Sequence, residues 1–169
     1  MTFHKTGFFR QVILSLQQIE DYILSGLLLV MIVVAVAQIF LRNLFDSGIL
    51  WGDELVRVLV LWIGLIGAMI ASRNNHHISI DVISRYLPEQ TKKVTTFITS
   101  VFTALICGIM SWFSLNFVLL EKQDGLIAFA AIPAWVCESI IPVSFAIICL
   151  RYLILSFTLL NHLIKPSTP

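Results

Sequence analysis

The chain has 169 residues, 58% of them hydrophobic and only 12% charged, with a mean hydropathy of +0.92 and a formal net charge of +1. A soluble domain is roughly 45–50% apolar and about 25% charged, so this much apolar side chain needs lipid to cover it. The near-neutral balance argues against nucleic acid or a strongly charged substrate as the main partner, and the length is expected to give one membrane domain, 1–169, with no soluble second domain.

In chain order, residues 8–23 read FFRQVILSLQQIEDYI. Phe9, Val12, Ile13, Leu16, Ile19 and Ile23 recur near helical spacing, with Arg10, Gln11, Gln17, Gln18 and Asp21 largely opposite. The pattern predicts an amphipathic helix over 8–21 lying in the membrane interface; the alternative is an extension of the first spanning helix. The first span, 22–41, holds no charge, has Gln38 as its one amide and is stopped by Arg42. Ala35-Val36-Ala37 resembles a signal-peptide cleavage site, but the apolar run continues through Leu41 and such a leader would carry Glu20-Asp21. An uncleaved helix is therefore expected. The second span, 55–71, ends at Arg73-Asn74-Asn75; at ~1.5 Å per residue it reaches only about 26 Å, short of a ~30 Å core unless its flanks help. The third runs over 94–120. The fourth covers 133–160, starting at Pro133, which suits a first helical turn, and Pro142 is expected to kink it. The predicted fold is an all-α integral membrane protein with four transmembrane helices.

Orientation follows from lysine and arginine. Lys5, Arg10, Arg73, Arg85, Lys92, Lys93 and Lys165 fall on one side, and Arg42 and Lys122 on the other. Both termini and the middle loop are thus expected in the cytoplasm, and the loops after spans one and three outside. Cys107, Cys137 and Cys149 form no CxxC and are odd in number; they read as small hydrophobes rather than a disulfide framework. The histidines, His4, His76, His77 and His162, lie outside the spans, which disfavours haem held within the bundle. No HExxH, GxSxG, P-loop or GxGxxG occurs, so no catalytic or metal residue and no bound cofactor is assigned, and the chain does not read as an enzyme. A self-sufficient transporter usually has ionisable groups or broken helices near the midplane. These greasy spans look instead like a partner of a transport machine.

The stretch Trp51 to Asp81 reads WGDELVRVLVLWIGLIGAMIASRNNHHISID. Trp51, Asp53 and Glu54 are placed at the outer interface with Arg57 one turn further in. The spacings Asp53–Arg57 (i,i+4) and Glu54–Arg57 (i,i+3) allow local neutralisation. Arg57 reads either as a snorkelling cation or as a polar contact to a partner subunit or lipid headgroup. After Trp62, the residues Gly64, Gly67, Ala68 and Ala71 give a smooth face for close helix approach, within the chain or to a partner. His76-His77 reads as a polar helix end rather than a metal pair.

The pattern Trp51-x-x-Glu54-x-x-Arg57, then Trp62, Gly64, Gly67-Ala68, Arg73, His77-Ile78 and Asp81, resembles the small membrane subunit of tripartite ATP-independent periplasmic (TRAP) transporters, the DctQ-like family. The four-span layout and Leu87-Pro88-Glu89 fit as well, so the resemblance covers nearly the whole chain; Asn75 departs from it where many relatives have glycine. The resemblance implies a bacterial inner-membrane subunit that enlarges a stationary scaffold. Its implied partners are a large elevator-type membrane subunit, a periplasmic substrate-binding protein and membrane lipid. Uptake of an organic acid, sialic acid first and C4-dicarboxylate next, would be driven by a sodium gradient, with the outer loops 42–54 and 121–132 helping to receive the binding protein. Two rival classes stand beside it: a stand-alone homo-oligomeric channel or small transporter, and the membrane anchor of a redox enzyme.

Overall fold

The computed structural model describes residues 5–45, 48–74, 89–129 and 131–164. Four of its helical stretches, Gln17–Phe45, Gly52–Arg73, Val94–Asp124 and Ala134–Asn161, are long and apolar enough to cross a membrane. The four-helix membrane fold expected from composition is therefore present. The chain divides into two compact units, one holding Met1–Ile70 with Ala128–Ala131 and the other holding Ala71–Ile127 with Ile132–Pro169.

In the first unit, helix α1 runs unbroken over Lys5–Phe45. Segment 8–21 is helical, as its spacing predicts, but it is not a separate element. No glycine or proline interrupts residues 8–25, and Ser25 returns its hydroxyl to the carbonyl of Asp21 at 2.9 Å, so the chain has no physical reason to bend there. The extension of the spanning helix is thus the arrangement found. At ~1.5 Å per residue α1 is about 60 Å long, twice a bilayer core. None of its most apolar window is buried within the chain; Leu29, Val33, Ile39 and Phe40 all face outward.

Helix α2 spans Gly52–Asn74, so the flanks of the 55–71 segment supply the missing length. Asp53 and Glu54 fall in its first turn and Arg73 in its last, each at the helix end whose dipole it complements. Leu59, Ile66 and Met69 are buried. Asp53, Arg57, Val60, Gly64, Ala68 and Ala71 are all exposed. Their spacing of four, three, four, four and three puts them on one stripe opposite Leu59 and Ile66.

The second unit is built on helix α3, Glu89–Asp124, packed against helix α5, Ile140–Ile164. Small side chains carry the seam: Ser100, Ala104 and Cys107 of α3 are buried, as are Ser144, Ile148 and Ser156 of α5. Where lipid removes the hydrophobic contrast, such residues let helices approach and gain packing. A Cβ on Gly108 would stand 3.5 Å from Cys149 Sγ. Cys149 Sγ donates to Ala104 O at 3.2 Å, and Ser111 Oγ donates to Pro142 O at 3.1 Å. Other hydroxyls bond one turn back along their own helix: Thr103 to Thr99, Ser114 to Met110, Ser144 to Ile140 and Ser156 to Tyr152. Each removes an orphan donor that lipid could not satisfy.

Helix α3 is closed by Gly125, whose φ of 64° is the left-handed cap that glycine adopts cheaply, with its N–H on Glu121 O at 3.1 Å. Two short paired strands follow, β1 over Ile127–Phe129 and β2 over Ile132–Pro133. Pro133 is the extended residue before helix α4, Ala134–Glu138, one position ahead of the first-turn place expected. The fourth span stays helical through Ser139, which joins α4 to α5 with φ −56° and ψ −23° and donates its N–H to Trp135 O at 3.0 Å; what is missing there is one bond of the helical ladder. Pro142 explains the position: it has no N–H for the carbonyl of Glu138, four residues back, and its ring crowds that carbonyl. The bond that Pro142 removes therefore falls one turn before it, and the chain continues as a helix across the gap.

Candidate functional site

The N-terminal end of α2 gathers the sequence-predicted rim. Trp51 lies in the turn before the helix and is 44% exposed. Asp53 and Arg57 are exposed, and Glu54 is half-buried. The expected local neutralisation of Arg57 is not found: among the described residues it pairs with neither Asp53 nor Glu54. Asp53 is engaged elsewhere, its Oδ1 accepting a hydrogen bond from Gln38 Nε2 at 3.4 Å. One i,i+4 spacing does not outweigh the entropy of holding two long side chains together at a wet helix end.

Further along α2, Trp62 is half-buried, Gly64 and Ala68 are exposed, and Gly67 is half-buried. A Cβ on Gly64 or Gly67 would meet nothing within 4 Å. Neither glycine is therefore required by packing among the described residues, and the smooth stripe is left open. His77 and Asp81, with His76, lie outside the described residues.

Three polar features were not singled out from the sequence as site residues. Gln38 grips the segment leading into α2: Ile49 N donates to its Oε1 at 3.1 Å, and its Nε2 donates to Ile49 O at 3.1 Å. Its presence as the one amide in an uncharged span is the signal that points to it. Arg151 stands within the fourth span and donates from Nη1 to Ser72 Oγ at 3.3 Å. It and Arg57 are the two cations left when the flanking lysines and arginines have been assigned to loops. Near the end of α3, Lys122 Nζ lies 5.2 Å from the centre of the Trp135 ring, a cation–π contact. Glu121 Oε2 and Glu138 Oε2 are both buried without a hydrogen-bond partner among the described residues.

Among the described residues, nothing in this arrangement brings a nucleophile, a general base and an oxyanion donor together. It offers a charged rim, a held loop and a smooth helical stripe, which are features for assembly. Comparison with known proteins agrees. The sialic acid TRAP transporter permease protein SiaT of Haemophilus influenzae (strain 86-028NP) is 24% identical over 110 residues, 65% of this chain and 17% of that protein. The ectoine TRAP transporter small permease protein TeaB of Halomonas elongata is 25% identical over 149 residues, 88% of this chain and 76% of that protein. The C4-dicarboxylate TRAP transporter small permease protein DctQ of Rhodobacter capsulatus is 26% identical over 124 residues, 73% of this chain and 55% of that protein. This chain thus spans about a sixth of the sialic acid permease and just over half of the C4-dicarboxylate protein. These relatives are transporter components and not enzymes. The family model for tripartite ATP-independent periplasmic transporters, DctQ component, matches residues 31–162, and the chain belongs to that family.

Proposed function

We propose that this chain is the small, stationary membrane subunit of a sodium-coupled TRAP transporter importing an organic acid. It packs against a large membrane subunit and works with a periplasmic substrate-binding protein. The observation that carries this reading is the family match over residues 31–162, taken with a match to only 17% of a much longer permease. A region like this one is there a minor part of a bigger transport protein. The α2 stripe supplies the physical support, because an open run of Gly64, Ala68 and Ala71 suits a second helix better than lipid chains. The fourth span runs as one helix from Ala134 to Asn161, so the described residues hold little of the apparatus of a self-contained carrier. Sialic acid stands first among substrates and C4-dicarboxylate next. The relatives' own names range over sialic acid, ectoine and C4-dicarboxylate, a spread that supports a substrate choice made by the partner proteins. On this reading the complex sits in the bacterial inner membrane, as the family resemblance implies, and the lysine and arginine asymmetry supports cytoplasmic termini for this chain.

Reconstitution tests the proposal. Proteoliposomes holding this chain alone are expected to take up no organic acid; adding the large subunit and the binding protein should give uptake that depends on a sodium gradient. Robust transport by the single chain would sink the subunit reading, and ligand binding to the partner binding protein identifies the substrate.

A further inference from the structure

Gln38 lies one turn inside Arg42, where the apolar run of the first span stops, and seven positions before α1 ends at Phe45. A helical side chain leans toward the N-terminus of its own helix, so the amide of Gln38 sits no nearer that end than its Cα. The peptide of Ile49, which belongs to no helix, is paired with this amide. Ile49 N donates to Gln38 Oε1 at 3.1 Å, and Gln38 Nε2 donates to Ile49 O at 3.1 Å. At ~1.5 Å per residue, the chain entering α2 is set back about 10 Å from the end of α1. Backbone outside a helix is tolerated at such a level only where its polar groups are paired, and the amide satisfies a donor and an acceptor at once. Gly52 is buried, and a Cβ there would fall 2.7 Å from Gln38 Oε1; one on Gly48 would fall 3.1 Å from Nε2. Packing along α1 contributes little to this arrangement, since none of its most apolar window is buried within the chain.

We propose that Gln38 is a positioning residue: it acts through the Ile49 peptide to fix the depth at which α2 enters the membrane, and with it the level of Arg57. Arg57 is five positions beyond Gly52, the first residue of α2, which carries it about 7.5 Å further along that helix. A cation costs less the nearer it lies to the interface, so Arg57 by itself draws α2 outward. The paired Ile49 peptide opposes that pull, because α2 rises only when both bonds to Gln38 break. The second Nε2 hydrogen reaches Asp53 Oδ1 at 3.4 Å and ties the first turn of α2 to the same amide. The consequence for transport rests on the function proposed above. The exposed stripe of Arg57, Val60, Gly64 and Ala68 meets a helix of the large subunit in register only when α2 is held at one depth.

The test uses the complete transporter in proteoliposomes, with a spin label at position 60 of a chain lacking Cys107, Cys137 and Cys149. Label depth is read from collision with oxygen and with an aqueous nickel chelate, and uptake and recovery of the large subunit are measured beside it. Gln38→Leu keeps a side chain of similar size and loses both bonds. It is expected to move the label outward by ~5 Å, one helical turn, and to lower uptake and recovery about tenfold. Gln38→Glu is the sharper variant. A protonated carboxyl offers a donor and an acceptor, as the amide does, whereas a carboxylate only accepts and repels both Ile49 O and Asp53. This variant should show the parental depth, and uptake equal to the parent's, at about pH 5, and the outward depth at about pH 9; the parent should hold one depth at both. A space-filling role for Gln38 gives no such response. Parental depth in Gln38→Leu, or a depth in Gln38→Glu that is the same at both pH values, would overturn the proposal. Where Gln38→Leu fails to insert, the pH comparison alone decides, because it is made on one folded protein. A label that moves outward while uptake and recovery stay parental would instead overturn the docking of the large subunit on this stripe.

Discussion

Arg57 sits on the exposed stripe of α2, one turn from Asp53, with no ion pair among the described residues. A cation at the centre of a spanning helix costs about 2.5–3.5 kcal/mol on insertion scales, and less near the boundary. Snorkelling recovers part of this, since the guanidinium can climb toward Trp51 and the interface. The stripe adds a second consideration, because a helix seated on Gly64 and Ala68 would cover Arg57 as well. Its partner group would then be desolvated with it, and removing one member of a buried pair costs about 3–5 kcal/mol. Arg57→Ala is therefore expected to weaken co-purification with the large subunit and to lower uptake, without reducing insertion of this chain. Arg57→Lys, which keeps the charge but loses the planar fork, should be milder. Co-purification yield and uptake measured side by side check this, and parental values for Arg57→Ala would return the residue to snorkelling.

The gap that Pro142 leaves in the helical ladder belongs to the scale of the element. Pro142 is buried and its carbonyl accepts from Ser111 of α3, so the gap and the α3–α5 seam meet at one place. Pro142→Ala restores the amide that Glu138 O lacks and removes the ring that crowds it. Hydrogen exchange read by mass spectrometry should slow over residues 138–143 as the missing ladder bond to Glu138 O is restored. Exchange unchanged from the parent would show that the missing bond does not govern the opening of this turn. The amphipathic N-terminal segment teaches the complementary lesson. Its spacing is legible as helix, but periodicity reports only which face is apolar, and it cannot say whether a helix continues into its neighbour or stops. Continuity is decided by whether any residue breaks the ladder, and residues 8–25 contain none that does.

For the molecule as a whole, the charge distribution predicts its placement in the bilayer. With cysteines introduced singly into a cysteine-free chain, position 90 should react only with reagents that reach the cytoplasm, and position 124 with impermeant reagents from outside. Labelling of position 90 from the periplasmic side would reverse the orientation, and with it the side to which Trp51 and Gln38 face.

The number of spans was legible in the sequence, because lipid imposes a long apolar run that needs no tertiary context; the family was legible from the pattern around Trp51-x-x-Glu54-x-x-Arg57. The rim at Trp51, Asp53 and Arg57 was legible for a related reason: charge beside a span is costly and stands out. Pairing was not legible. Asp53 is four residues from Arg57, yet its carboxylate meets Gln38, fifteen residues away on another helix. Gln38 was legible as the one amide of its span, but its partner appeared only when the fold carried Ile49 back beside it. Cys107 and Cys149 likewise read as small hydrophobes, and only the packing of α3 on α5 sets them in one seam with Gly108 and Ser144. The sequence by itself determined that the first span carries one amide in an otherwise apolar run; which backbone Gln38 holds was decided by tertiary structure, because that partner is distant in the chain and becomes adjacent only when the helices are placed.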